Sequence, residues 1–178
     1  TLGSALRDAL TAGSNPAGVA IIRLLIFTGA RKGEIEQLKW SEVDFEHRVL
    51  RLADSKTGQK IFPLNSGALA LLAECPRHEG SDLVFPAQKG SGSYVGTPKV
   101  WRHIRVAAGL PDVRLHDLRH SFASLAVSMG ASLPMIGALL GHKSSATTQR
   151  YAHLSDEPVR AVSDGVSKRI DDALDAVA

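Results

Sequence analysis

The chain has 178 residues, 44% of them hydrophobic and 22% charged, which is enough for one well-packed domain. Its apolar runs all fall short of the ~18 residues needed to cross a membrane, and its N-terminus has no signal-like segment, so we expect no membrane association. A single cysteine, Cys75, excludes an internal disulfide and a multi-cysteine zinc site, and it is typical of a reducing, cytoplasmic location.

The net charge of +3 is unevenly distributed along the chain. Residues 1–154 carry a net charge of +6, whereas residues 155–178 carry −3. A basic body favours a polyanionic partner, and an acidic end favours docking onto protein.

The first forty residues predict helices, over residues 3–12, 16–28 and 32–39. The second of these is apolar on most faces, so we expect it to be the central buried helix. Gly29 ends it. Arg31 therefore lies at the junction with the third helix.

The hydrophobic period changes to that of strands between residues 41 and 64. Three short strands are predicted, at Val43 to Phe45, Val49 to Leu52 and Ile61 to Leu64. A hairpin turn over residues 54–58 links the last two, with Lys56 at its tip.

The remainder of the chain predicts a helix, a flexible loop and then further helices. The helices are expected over 66–75, 99–108, 115–129 and 133–140, around Tyr151 and over 157–177, with the loop at 76–96. The 99–108 helix presents basic residues outward. The sequence thus predicts a single α+β domain over residues 1–178, mainly α, with a small three-stranded sheet and a helical tail from about 155.

Six polar residues stand at element ends or turns, and each has an ordinary explanation when taken alone. They are Arg31, Lys56, His116, Arg119, His142 and Tyr151. Arg31 could simply pair with Glu34 three residues on, and Tyr151 could be a packed helix tyrosine. His116 and His120 have the spacing of a zinc pair, but a catalytic glutamate between them and a third ligand are missing, so we expect no metal.

Taken together, these residue types fit phosphoryl transfer to a tyrosine without a metal or cofactor. A free tyrosine has a pKa near ~10 and is a poor nucleophile, so it needs cations and a proton acceptor. Guanidinium groups can clamp the oxygens of a phosphodiester, and an imidazole can donate a further hydrogen bond.

The chain resembles the catalytic domain of the tyrosine recombinases, the phage-integrase family, over about residues 17–153. The segments that carry the resemblance are residues 25–35, the Ser-Lys-Thr-Gly hairpin at 55–58, Leu-His-Asp-Leu-Arg-His at 115–120, and Leu-Gly-His at 140–142 with Tyr151 nine residues on. The resemblance implies a DNA breaking-rejoining enzyme fold with an antiparallel sheet. It also implies site-specific recombination of double-stranded DNA that needs neither metal nor ATP.

The resemblance also implies a role for each of the six residues. Tyr151 attacks the scissile phosphate and forms a 3′-phosphotyrosyl link. Arg31, Arg119 and His142 hold the phosphate. Lys56 is the general acid for the leaving 5′-oxygen, and His116 assists proton transfer as the base for the tyrosine. The spacing of Glu34 separately suggests that it orients Arg31.

For partners, the resemblance implies a homotetramer on DNA, with this piece monomeric alone. It implies a cytoplasmic, nucleoid-associated location for a protein of bacterial or phage origin. The N-terminal core-binding and arm-binding domains of the family are expected to be absent from this piece. The tail could pack on a neighbouring protomer or on its own body, and both interpretations stay open. Two alternative functions are a type IB topoisomerase-like enzyme and a DNA-binding module with a vestigial site.

Overall fold

The computed structural model describes residues 1–53, 60–141, 148–149, 151, 163 and 166. The chain forms two compact units, residues 1–122 and 123–178. The α-helices are α1 Leu2–Thr11, α2 Pro16–Thr28, α3 Lys32–Glu36, α4 Ser66–Glu74, α5 Thr97–Ala107, α6 Leu115–Ser128 and α7 Leu133–Leu139. The strands are β1 Val43–Asp44, β2 Val49–Leu52 and β3 Lys60–Pro63, and a 3-10 turn covers Trp40–Glu42.

Helix α2 is the central buried helix of the first unit, as predicted. Its side chains Ile21, Ile22 and Leu24 are fully buried. Asn15 caps its start, because the Asn15 Oδ1 accepts a hydrogen bond from the backbone N–H of Ala17 at 2.9 Å. Gly29 ends the helix in the left-handed conformation, at φ 62°.

The three strands form the predicted antiparallel sheet in the order β1-β2-β3. Leu50, Leu52 and Phe62 point into the core. Leu52 pairs with Lys60 at the end of the sheet where the chain passes from β2 to β3. The predicted turn over 54–58, with Lys56, lies outside the described residues.

Helix α3 is shorter than predicted, because it ends at Glu36 rather than at residue 39. The 82–84 segment pairs with the chain just beyond that end. Trp40 N–H donates to Asp82 O at 2.7 Å, and Val84 N–H donates to Leu38 O at 2.9 Å. These bonds require an extended backbone, so tertiary pairing overrides the helical pattern there.

The loop over 76–96 is anchored, whereas the sequence predicted a flexible segment. Val84 and Phe85 are buried in the core. Tyr94 N–H donates to Phe85 O at 2.8 Å, which folds the loop back on itself.

The second unit contains the end of α6, which crosses the boundary at residue 122, and all of α7. Ser132 caps α7, because its Oγ accepts a hydrogen bond from Met135 N–H at 3.4 Å. The absence of a side chain at Gly137 lets Thr148 approach the backbone of α7 closely. A Cβ at this position would lie only 3.1 Å from the Thr148 Oγ1. Among the described residues, none of the helices is long and apolar enough to cross a membrane.

Candidate active site

Arg31 stands where α2 has ended and α3 is about to begin. Its backbone is extended, at φ −78° and ψ 148°. Glu34 holds it twice: Oε2 accepts from the Arg31 backbone N–H at 2.7 Å, and Oε1 accepts from Nη1 at 3.0 Å. The Arg31 side chain is nevertheless 46% exposed. The predicted Arg31–Glu34 pair is therefore present, and the guanidinium remains accessible.

Lys60 is a third member of this cluster, and the sequence analysis missed it. Its Nζ lies 2.8 Å from the Glu34 Oε1, and the two side chains are only 14% and 15% exposed. Burial raises the pKa of Glu34, but the hydrogen bonds and charges of Lys60 and Arg31 outweigh it and hold that pKa below its ordinary value. A lysine at the start of an edge strand carried no sequence signal that could have singled it out.

Arg31, Glu34 and Lys60 line an open cleft of about 800 Å³. Lys39 and Glu42 lie on its wall, together with Leu52 and Ala53 from the end of β2 and the residue after it. The end of the β2–β3 pair where Leu52 faces Lys60 thus borders the same cleft as Arg31.

Arg119 brings a second guanidinium to the end of α2. It is 4% exposed, and its Nη1 donates a short hydrogen bond to the backbone O of Gly29. Gly29 precedes Arg31 by two residues, so their Cα atoms lie within about 7 Å of each other. Helix α6 thereby places a buried cation beside the segment that carries the exposed one.

His116 lies one turn before Arg119 on α6, and the residue is exposed to solvent. The His116 and His120 rings meet edge to face, with their centroids 4.9 Å apart. Partial burial and the positive charges of His120 and Arg119 lower the pKa of His116 below its ordinary value. A neutral imidazole is a proton acceptor, which suits the predicted role of this side chain.

A basic groove lies where α5 meets the start of α6. Basic side chains line it, namely Lys99, Arg102, Arg105 and Arg114. Arg105 Nη1 and Trp101 Nε1 both donate to the Val113 backbone O, at 3.1 and 2.9 Å. These bonds fix the floor of the groove. The exposed Lys99 and Arg102 are left on its surface.

The six predicted site residues have different outcomes. In the first unit, Arg119 bonds to the end of α2 two residues before Arg31, and His116 lies one turn before Arg119 on α6. Lys56 and His142 lie outside the described residues. Tyr151 belongs to the second unit and is only 4% exposed. In the described part of the chain, no group of three or more His, Cys, Asp and Glu side chains could hold a metal ion.

Residues 7–158 match the family model described as the phage integrase family. The chain belongs to this family. The predicted resemblance is thereby confirmed for most of its length. One relative of this chain is the prophage integrase IntF of Escherichia coli (strain K12), which is 33% identical over 143 residues. That match covers 78% of this chain and 31% of IntF.

A second relative is the tyrosine recombinase XerC of Xanthomonas axonopodis pv. citri (strain 306), 30% identical over 84% of this chain and 51% of that protein. Among solved structures, the XerH site-specific recombinase bound to difH substrate is 26% identical, with a TM-score of 0.69. The likeness covers 85% of this chain and 48% of XerH. The predicted fold class is confirmed. The chain spans about a third of IntF and about half of XerC.

Proposed function

We propose that this chain is the catalytic part of a site-specific DNA recombinase that cuts and rejoins double-stranded DNA through a 3′-phosphotyrosine at Tyr151. One observation carries the proposal: at the end of α2 an exposed arginine, Arg31, and a buried one, Arg119, meet on the same stretch of backbone. Membership of the phage integrase family and the likeness to XerH, a recombinase bound to its difH substrate, support the same substrate class.

The cleavage step exchanges one phosphate ester for another. The phenolic oxygen of Tyr151 attacks the scissile phosphorus, and the P–O5′ bond breaks as the new P–O bond forms. His116 takes the phenolic proton, and Lys56 gives a proton to the departing O5′, which leaves as a hydroxyl. In the reverse step, a 5′-hydroxyl of the partner strand attacks the phosphotyrosine. Because the ester bond is conserved, the exchange requires no ATP, and we propose that it requires no metal.

Charge stabilisation falls to Arg31, Arg119 and His142. Negative charge develops on the two non-bridging oxygens during attack, and fixed donors around them stabilise the transition state. Arg119 is preorganised by its bond to Gly29, and Arg31 by its bonds to Glu34. Donors held in this way need not reorganise as the charge develops.

The basic groove on α5 and α6 extends the proposed DNA contact away from the reacting phosphate. Lys99 and Arg102 are exposed cations that would neutralise backbone phosphates. Such contacts position a duplex and make its binding salt-dependent, without reading sequence.

Tyr151 is buried, so its hydroxyl has to become accessible before it can attack. We propose that assembly of a homotetramer on DNA supplies this change. Val166, an apolar residue within the helix predicted over 157–177, is 51% exposed, which supports docking of the tail on a neighbouring protomer. Deletion of residues 157–178 tests this: a smaller assembly on DNA with unchanged thermal stability supports the proposal, and loss of folding supports packing on its own body.

Covalent trapping tests the proposed chemistry. The chain is incubated in EDTA at low salt with supercoiled plasmid and with nicked duplexes that carry a randomised core, then quenched with SDS. Wild type is expected to form a protein–DNA adduct that Tyr151→Phe does not form, and sequencing of the trapped DNA defines the site. An adduct that needs magnesium, one that Tyr151→Phe forms equally well, or no wild-type adduct at all would refute the proposal. Plasmid relaxation without sequence preference would favour a topoisomerase.

A further inference from the structure

The carboxylate of Glu34 is shared between two cations that come from different parts of the fold. Its Oε1 accepts from Arg31 Nη1 at 3.0 Å and from Lys60 Nζ at 2.8 Å. Arg31 and Glu34 are neighbours on one helical turn, whereas Lys60 opens strand β3, 26 residues further on. The bond from Lys60 therefore ties the sheet to the arginine.

The two ends of this cluster differ in exposure. Lys60 and Glu34 are 14% and 15% exposed, so the inner ion pair is largely removed from water. Arg31 is 46% exposed and faces the open cleft. The inner pair provides a fixed support, and the guanidinium is the part that a ligand in the cleft can reach.

The charge balance gives Lys60 a second effect. Arg31 and Glu34 alone form a neutral pair, and the carboxylate would repel a phosphate brought to the guanidinium. With Lys60 the cluster carries a net charge of +1. Electrostatic interactions are stronger in a partly buried cluster than in bulk water, so this difference acts directly on an anion in the cleft.

We propose that Lys60 is a positioning residue for Arg31: by sharing the Glu34 carboxylate it fixes the guanidinium and keeps the cluster cationic toward a DNA phosphate. The inference rests on the proposed function, since it takes Arg31 to be a ligand of the scissile phosphate. Lys60 itself is not assigned a contact with DNA.

Single-turnover rates of adduct formation, measured on the site found by trapping, give the first test. Lys60→Met is expected to slow the reaction about 10- to 100-fold, the range produced by misplacing a catalytic group by about 1 Å. Lys60→Arg, which keeps the positive charge, is expected to restore most of the rate. Arg51→Met is the matched control, because it removes the cation of another ion pair in the same sheet, with Asp44. Equal rates for Lys60→Met and Arg51→Met would overturn the inference.

A double-mutant cycle tests whether Lys60 acts through Glu34. In the Glu34→Gln background the carboxylate charge is gone, so Lys60→Met is expected to have a much smaller effect than in the wild type. Strictly additive effects would show that Lys60 acts by another route.

Two modified substrates separate the phosphate clamp from proton transfer to the leaving group. A methylphosphonate at the scissile position removes one charged oxygen, so the deficit of Lys60→Met is expected to shrink. A 5′-bridging sulfur leaves without a proton donor, so the deficit is expected to persist on it. Rescue by sulfur alone would assign Lys60 to leaving-group protonation and overturn the inference.

NMR of the folded chain tests the arrangement without any DNA cleavage. The Arg31 Nε–Hε signal, identified by its loss in Arg31→Lys, is expected to move in Lys60→Met and to stay in place in Arg51→Met. The Glu34 carboxyl is expected to titrate at higher pH in Lys60→Met. An unchanged Arg31 signal would refute the positioning role. A wild type that makes no adduct would instead refute the proposed function, and the NMR result would still decide the role of Lys60.

Discussion

Replacement of Arg119 by alanine is expected to damage both stability and chemistry, because this side chain bonds to buried backbone and is also proposed to hold the phosphate. Arg119 is 4% exposed, and its Nη1 donates to the carbonyl of Gly29. Loss of the donor leaves a buried carbonyl without this partner, which costs about 1–3 kcal/mol. For a protein of 150–250 residues, that corresponds to a fall in the melting temperature of roughly 2 to 12 °C.

The catalytic loss should be larger than the loss of stability alone can explain. Removal of one preorganised donor to a developing oxyanion typically costs about 10²–10³ in rate. Adduct formation by Arg119→Ala is therefore expected to fall by at least about 10²-fold at a temperature where the variant is fully folded. Arg119→Lys keeps the charge but loses the planar fork, so it should recover more stability than activity.

Urea denaturation followed by circular dichroism measures the first effect, and single-turnover trapping measures the second. Arg51→Ala is the control for both, because it removes an arginine from a partly exposed ion pair in the same unit. If Arg119→Ala unfolds at the same urea concentration as Arg51→Ala, the Gly29 contact contributes nothing. If it is destabilised but forms adduct at the wild-type rate, Arg119 is a structural residue only.

Three further outcomes are expected. Gly29→Ala should lower the free energy of unfolding by about 1–2 kcal/mol, because φ at this position is +62° and an L side chain is strained there; urea denaturation would contradict this if the midpoint did not move. Lys99→Ala and Arg102→Ala should each weaken duplex binding and reduce the slope of log affinity against log salt by about 1, as measured by fluorescence anisotropy, and an unchanged slope would remove that side chain from the DNA contact. The rate of adduct formation should fall as the pH drops through the lowered pKa of His116, because only the neutral ring accepts a proton; His116→Gln should abolish this acidic limb, and its persistence would exclude His116 as the base.

The free energy of unfolding should also fall as the pH drops, because His116 titrates at a lower pH in the folded chain. Because its pKa is lower in the folded chain than in the unfolded one, the unfolded chain binds its proton first as the pH falls. Stability is thus retained above the ordinary histidine pKa of about 6.5 and declines below it. Urea midpoints of wild type and His116→Gln between pH 8 and pH 5 would show the difference.

Local features of this fold could be predicted because they follow from residues close together in the chain. The run of apolar side chains in α2, its Asn15 cap and its Gly29 stop define a buried helix without reference to anything else. The alternation in β2 and β3 likewise predicted the strands to within a residue. The positions of Arg31 between two helices and of His116 and Arg119 in the first turns of α6 were visible for the same reason.

Contacts between distant segments were decided by the tertiary structure. Helix α3 ends at Glu36 because residues 82–84 pair with the chain beyond it, more than 40 residues away, and no local pattern records that pairing. Arg119 reaches Gly29 across 90 residues, and Lys60 reaches Glu34 across 26. Periodicity and capping report the energetics of one turn or one strand, whereas an ion pair between elements depends on how those elements pack. The sequence therefore determined which residues could hold a phosphate, and packing determined which buried partners fix them.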